Sequence, residues 1–222
     1  YGGEGDDLIT AETYNYPVTL SGGEGDDTLS GASTDISGGP GDDLITSTPF
    51  SPEEEPSLQQ VDGGAGNDTI MAPLGFGTFN GNSGNDVIET GGGTLLGGSG
   101  TDQITYIRST EENGSPPHGA EISGGGGDDT ITVSLNLEPD NGYRSGEYYV
   151  RSTQDYDIEI ESGTGSDLIV IDAALNFVEG GNEPTLLATL TDFDPTEDML
   201  LVDLVANQDT EGMLAAIMDY HG

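Results

Sequence analysis

The chain has 222 residues, enough for one or two domains. Forty-two acidic residues face three basic ones, Arg108, Arg144 and Arg151, for a formal charge of −39, so the chain repels itself when compact and carries the same sign as a nucleic-acid backbone. Only 32% of residues are hydrophobic, Cys is absent and no apolar run approaches a membrane span, which excludes disulfides and thiol sites and leaves too little apolar mass for a broad two-layer core.

The acids are not scattered. Eight copies of one nine-residue pattern recur, from Gly2 (GGEGDDLIT), Gly22 (GGEGDDTLS), Gly38 (GGPGDDLIT), Gly63 (GGAGNDTIM), Gly81 (GNSGNDVIE), Gly97 (GGSGTDQIT), Gly124 (GGGGDDTIT) and Ser162 (SGTGSDLIV). Position six is always Asp: Asp7, Asp27, Asp43, Asp68, Asp86, Asp102, Asp129 and Asp167. Position four is always Gly, and position eight is always Ile or Leu. Asn82 replaces the second Gly of the fifth copy and Ser162 the first of the last.

Two residues before each copy from the second onward stands an apolar residue: Leu20, Ile36, Val61, Phe79, Leu95, Ile122 and Ile160. Each unit therefore reads as strand, glycine turn, strand and variable connection, with one inward apolar plug from each strand. Two plugs make no core alone, but stacked coils do, which predicts a thin parallel solenoid. The copies begin 20, 16, 25, 18, 16, 27 and 38 residues apart, about one per coil, so the glycine turns are expected along one edge and irregular loops along the other.

Glycine permits left-handed backbone angles and lets carbonyls approach an ion. Coils stack about 4.8 Å apart, and calcium–oxygen distances are about 2.3–2.6 Å, so an ion midway between two turns touches oxygens of both. The position-six carboxylates add charge at that gap. Calcium tolerates irregular oxygen sets where magnesium demands an octahedron, and two scattered His (His118, His221) without Cys argue against zinc or copper. Eight turns leave seven gaps, hence an expectation of about seven Ca2+ ions.

The copies resemble the nonapeptide G-G-x-G-x-D-x-U-x of RTX (repeats-in-toxin, hemolysin-type) proteins, over roughly residues 1–172. That resemblance implies an all-β, right-handed parallel β-roll in which six residues form the turn and three the strand. It implies calcium ligation by the eight position-six Asp residues and by turn carbonyls. The turn glycines at stake are Gly3, Gly5, Gly23, Gly25, Gly39, Gly41, Gly64, Gly66, Gly84, Gly98, Gly100, Gly125, Gly127, Gly163 and Gly165.

The connections carry the individuality. Residues 47–60 hold Pro49, Pro52, Pro56 and the acidic run Glu53, Glu54 and Glu55, read as an exposed loop. The longest insert, about 133–156, gathers Tyr143, Arg144, Tyr148, Tyr149, Arg151 and Tyr156, suited either to covering the side of the roll or to contacting a glycan or protein. Residues 173–222 read as a C-terminal cap: two strands around a turn at Asp194–Pro195, then a short helix within Asp209–Met218 with Thr210 as its cap. The run from Thr191 to Asp198 resembles the segment closing the rolls of serralysin-type proteases, a family whose C-terminal region also carries the type I export signal. Asp192, Asp194 and Asp198 are candidates for a further ion.

No H-E-x-x-H, G-x-S-x-G or P-loop motif occurs, so no enzyme is expected. The first residues are already repeat, which points to a fragment, a processed product or an export substrate with a C-terminal signal, associated with other domains of a longer chain. The expected role is a secreted, extracellular or cell-surface calcium-binding module that folds outside the cell. The alternative is a recognition or adhesion module working through its loop edge.

Overall fold

A computed structural model describes residues 1–11, 18–32, 35–48, 58–73, 75–108, 119–137, 156–175 and 186–206. Strands preceding each turn form one eight-stranded sheet: Thr19–Ser21, Asp35–Pro40, Gln59–Ala65, Gly77–Ser83, Gly93–Ser99, Ala120–Gly126, Tyr156–Glu161 and Leu186–Leu190. Strands following each turn form a nine-stranded sheet: Leu8–Ala11, Thr28–Ala32, Leu44–Thr48, Thr69–Ala72, Val87–Thr90, Gln103–Arg108, Thr130–Leu137, Leu168–Leu175 and Met199–Ala206. Every pair is parallel, and in both sheets each coil lies between its predecessor and its successor. No helix occurs among the described residues. This is the all-β parallel roll, with the glycine turns along one edge. Coils are numbered here by turn, coil 1 from Gly2 to coil 8 from Ser162.

The register explains the core. Position-eight residues stack as Leu29, Ile45, Ile70, Ile88, Ile104, Ile131 and Ile169, all fully buried. The upstream plugs stack opposite as Leu20, Ile36, Val61, Phe79, Leu95, Ile122 and Ile160, equally in register and buried. Each plug packs on those above and below, which is how a chain with few apolar residues still closes a buried core.

The two-plug description is correct only for the early coils. The next inward position is small or polar in coils 3 to 5, Ser47, Ala72 and Thr90, all buried, but large and apolar in coils 6 to 8, Tyr106, Val133 and Ile171. Leu135, Ala120 and Ile158 add further buried apolar groups. The strands after the turns lengthen to match, from 4 or 5 residues in coils 1 to 5 to 8 residues in coils 7 and 8. Where the inner position is polar, side chains satisfy it: the Gln59 amide donates to Ser47 Oγ and to the Thr48 carbonyl, both at 2.8 Å.

The spacing of 38 residues between the last two copies does not break the stack. Thr130–Leu137 pairs with Leu168–Leu175 along its whole length, and Ala120 to Ser123 pair with Ile158 to Glu161. The insert expected at 133–156 is shorter than that: residues 133–137 complete the strand Thr130–Leu137, whose Val133 and Leu135 are core, and Tyr156 opens the next strand, while Tyr143, Arg144, Tyr148, Tyr149 and Arg151, and the expected helix over Asp209–Met218, lie outside the described residues. The two expected C-terminal strands are present. They extend both sheets as a ninth coil, and their turn closes through Glu197 N–H and Asp198 N–H donating to the Asp194 carbonyl.

A fully buried plug in the middle of the stack contacts coils on both sides. Replacing Ile104 by Ala is therefore expected to cost about 2–5 kcal/mol, measured by denaturant unfolding in calcium, and Ile9→Ala in half-buried coil 1 distinctly less.

Candidate calcium-binding edge

The turns form a hydrogen-bonded stack of their own. The position-four N–H of each coil donates to the position-three carbonyl of the next, from Gly5 to Glu24 through Gly127 to Thr164, at 2.6–2.9 Å. The position-seven N–H of each coil donates back to the position-six carbonyl of the coil before, at 2.7–2.8 Å. Neighbouring turns are thereby locked face to face.

Positions two and four have positive φ in every copy, from Gly3 at 125° and Gly5 at 93° to Gly163 at 101° and Gly165 at 136°. Only Asn82, at 71°, is not Gly, and Asn is the side chain that best tolerates that region. This conformation turns the position-two and position-four carbonyls of one coil toward the glycines of the next. A Cβ on Gly84 would meet the Gly66 oxygen, and one on Gly98 the Asn82 oxygen. The gap is thus open to backbone oxygens because no side chain enters it.

The position-six carboxylates complete the gap from its inner side. Seven of them are almost wholly buried, from Asp27 to Asp167. Oδ1 of each accepts the backbone N–H of the position-six Asp one coil earlier: Asp7 N to Asp27 at 2.8 Å, Asp68 N to Asp86 at 2.7 Å, Asp129 N to Asp167 at 2.8 Å. Oδ2 of Asp7, Asp27, Asp43, Asp68, Asp86, Asp102, Asp129 and Asp167 is buried with no hydrogen-bond partner. A second ladder runs the opposite way outside it: Asp6, Asp26, Asp42, Asn67 and Asn85 each accept the position-five N–H of the following coil.

The space beside each orphaned oxygen is defined by the first glycine. A Cβ on Gly22 would press on Asp27 Oδ2 and lie 2.7 Å from the Gly38 carbonyl oxygen; one on Gly2 would meet Asp7 Oδ2 and lie 2.6 Å from the Gly22 oxygen. The position-one carbonyl of the next coil therefore converges with the carboxylate. These carbonyls, of Gly22, Gly38, Gly97 and Gly124 among others, belong to the gap although the sequence pattern singled out only positions two, four and six. What signalled them is the Gly at position one itself, whose missing Cβ keeps the space free.

The donor set is all oxygen, partly charged and mostly backbone. No group of three or more His, Cys, Asp or Glu side chains able to hold an ion occurs among the described residues, so an ion here depends on carbonyls from two coils. That fits calcium, a hard cation accepting six to eight oxygens in irregular geometry. A buried carboxylate oxygen without a donor is a costly arrangement that a cation relieves.

A family model described as the RTX calcium-binding nonapeptide repeat (4 copies) matches residues 1–35, 60–72, 74–104 and 121–134. Over those stretches the chain carries RTX calcium-binding repeats. No curated protein and no solved structure matches it. Its RTX repeats bind calcium, and the stacked turns are where the repeats lie.

Burial is also the leading cause of the acidities along the RTX edge. It pushes Asp68 up to about 7 and Asp86 and Asp129 up to about 6, with repulsion from neighbouring carboxylates adding to it and the backbone N–H bonds opposing it. Asp43, Asp102 and Asp167 are raised for the same reason. An acid whose folded pKa exceeds its unfolded value favours the fold below the unfolded value, and that contribution is lost as pH rises through the folded one. In chelator, acidification from pH 8 toward pH 4.5 is therefore expected to raise β content by circular dichroism. In calcium the same acidification weakens ion binding, since protons compete for the same oxygens, with isothermal titration showing proton release on binding near pH 6.

Proposed function

We propose that this RTX module is a calcium-triggered structural unit of a secreted protein, folding on calcium outside the cell. The observation carrying this reading is the row of eight buried, unpartnered Asp oxygens, of which the seven from Asp7 to Asp129 line the gaps between successive repeat turns and the eighth, of Asp167, stands below the ninth coil. About seven ions, one per gap between coils 1 and 8, are held by the position-six carboxylates of both coils. The position-two and position-four carbonyls of the lower coil and the position-one carbonyl of the upper complete each set. The insert before Ser162 leaves the seventh gap in register, because Asp129 N–H still meets Asp167 Oδ1. Asn82 serves in the fifth turn as Gly does elsewhere, through the same left-handed backbone.

Function follows from the sign of the electrostatics. Without cations the carboxylates repel along one edge, and the early coils offer little apolar area to oppose them. Cations that bind only the stacked form add their binding free energy to folding. Extracellular calcium modules bind at about 10⁻⁴–10⁻³ M, so the chain stays unfolded in a low-calcium cytosol and folds after export. The module performs no catalytic step in this reading: its buried acids are ligands.

Circular dichroism in chelator is expected to show a coil, and in millimolar calcium a β spectrum, with magnesium a poor substitute. A β-rich fold in excess chelator with an unchanged melting temperature would remove calcium from the mechanism.

A further inference from the structure

The ninth coil stacks on the eighth by different means. Its turn, Thr191 to Asp198, contains no Gly and is one residue longer: Leu190 pairs with Ile160 and Met199 with Leu168, so Asp192 stands over Ser162 and Asp198 over Asp167. Asp198 Oδ1 accepts Asp167 N–H at 3.1 Å, continuing the position-six ladder. From there the resemblance to the other gaps ends.

In a glycine coil, the N–H groups of positions one and two donate to carbonyls of the coil above, as Gly2 does to Ser21 and Gly3 to Gly22. In coil 8 both are taken by one side chain: Ser162 N–H donates to Asp192 Oδ1 at 2.7 Å and Gly163 N–H to Asp192 Oδ2 at 3.0 Å. Position one is Ser162, not Gly, so the space kept free in coils 1 to 7 carries a side chain. That side chain is buried, and its hydroxyl lies between Asp192 Oδ1 at 3.1 Å and Asp198 Oδ2 at 3.2 Å. Asp198 Oδ2 also accepts Asp194 N–H at 2.8 Å, while Asp194 is held by Thr196 N–H and Oγ. Every oxygen of Asp192 and Asp198 has a protein donor, while Oδ2 of Asp167 below them has none, so it is the Ser162 side chain rather than a full set of donors that keeps an ion out.

We infer that the eighth gap is closed by hydrogen bonds and holds no calcium, with Ser162 filling the ion space and Asp192 and Asp198 sealing it, so that the ion ladder stops at the seventh gap. Two features make the closure physical. The upper turn offers carboxylates already committed to N–H and O–H donors where other turns offer carbonyls with free lone pairs. The Ser162 side chain occupies the place where, one coil down, a Cβ on Gly124 would lie 2.6 Å from Asp129 Oδ2 and against the Ser162 carbonyl.

This rests on the one-ion-per-gap reading, and the test separates the two. Bound calcium per chain is measured by equilibrium dialysis on the full chain and on Asp198→Asn, Ser162→Ala and Asp86→Asn, with circular dichroism in calcium to confirm the fold. Asp86→Asn is expected to lose at least one ion; an unchanged count there overturns the one-ion-per-gap reading itself, and the closure with it. Asp198→Asn is expected to keep the full count with a lower melting temperature, because only hydrogen bonds are weakened. Loss of one ion in Asp198→Asn overturns the closure. Should Asp198→Asn fail to fold, Ser162→Ala decides: its methyl group still fills the space, so an unchanged count supports the closure, and loss of one ion shows the hydroxyl to be a ligand.

Discussion

A carboxylate oxygen taken out of water needs a donor or a cation, and this fold takes one such oxygen out of water in every repeat coil. The turn geometry leaves no alternative. Position-six Asp spends Oδ1 on the N–H of the coil below, and the other turn N–H groups are consumed in coil-to-coil bonds, so nothing is left to donate to Oδ2. The roll concentrates this deficit along one edge. Calcium sits at the centre of the account for that reason: it supplies positive charge where the backbone has no donors left.

The core is subordinate to that edge in the first coils and less so in the last. Coils 3 and 5 bury Ser47 and Thr90 where coils 6 to 8 bury Tyr106, Val133 and Ile171. Apolar burial at about 25 cal/mol per Å² thus contributes more per coil toward the C-terminal end. The apolar contribution is smallest at the N-terminal coils, where the inner positions are small or polar and coil 1 is only half-buried.

Much of this was legible in the sequence because the repeat couples backbone conformation to residue type. Gly at positions two and four announced positive φ, and Asn82 could be recognised as its substitute. Leu20, Ile36 and the plugs after them announced one face of a strand, since period two leaves no ambiguity. Two things escaped. The widening core escaped because Tyr106 and Val133 sit in strands whose ends no turn motif marks. The place of the C-terminal strands as a ninth coil escaped because its turn keeps only Leu190, Asp198 and Leu200 of the pattern and substitutes side-chain carboxylates for glycine carbonyls. A motif defined by backbone freedom is blind to a turn that reaches the same stacking through side chains.

The hydrogen-bond ladder between the turns also explains how irregular spacing is tolerated. Copies lie between 16 and 38 residues apart, yet every position-six N–H from Asp7 to Asp129 finds the next Asp at 2.7–2.8 Å. Register is set at the turn edge and propagates into the sheets, so a long connection costs only its own closure entropy. The most direct measurement of the account is native mass spectrometry of the chain desalted from millimolar calcium. Seven retained ions, moving the formal charge from −39 to about −25, is the expected result. Fewer than four would contradict one ion per gap.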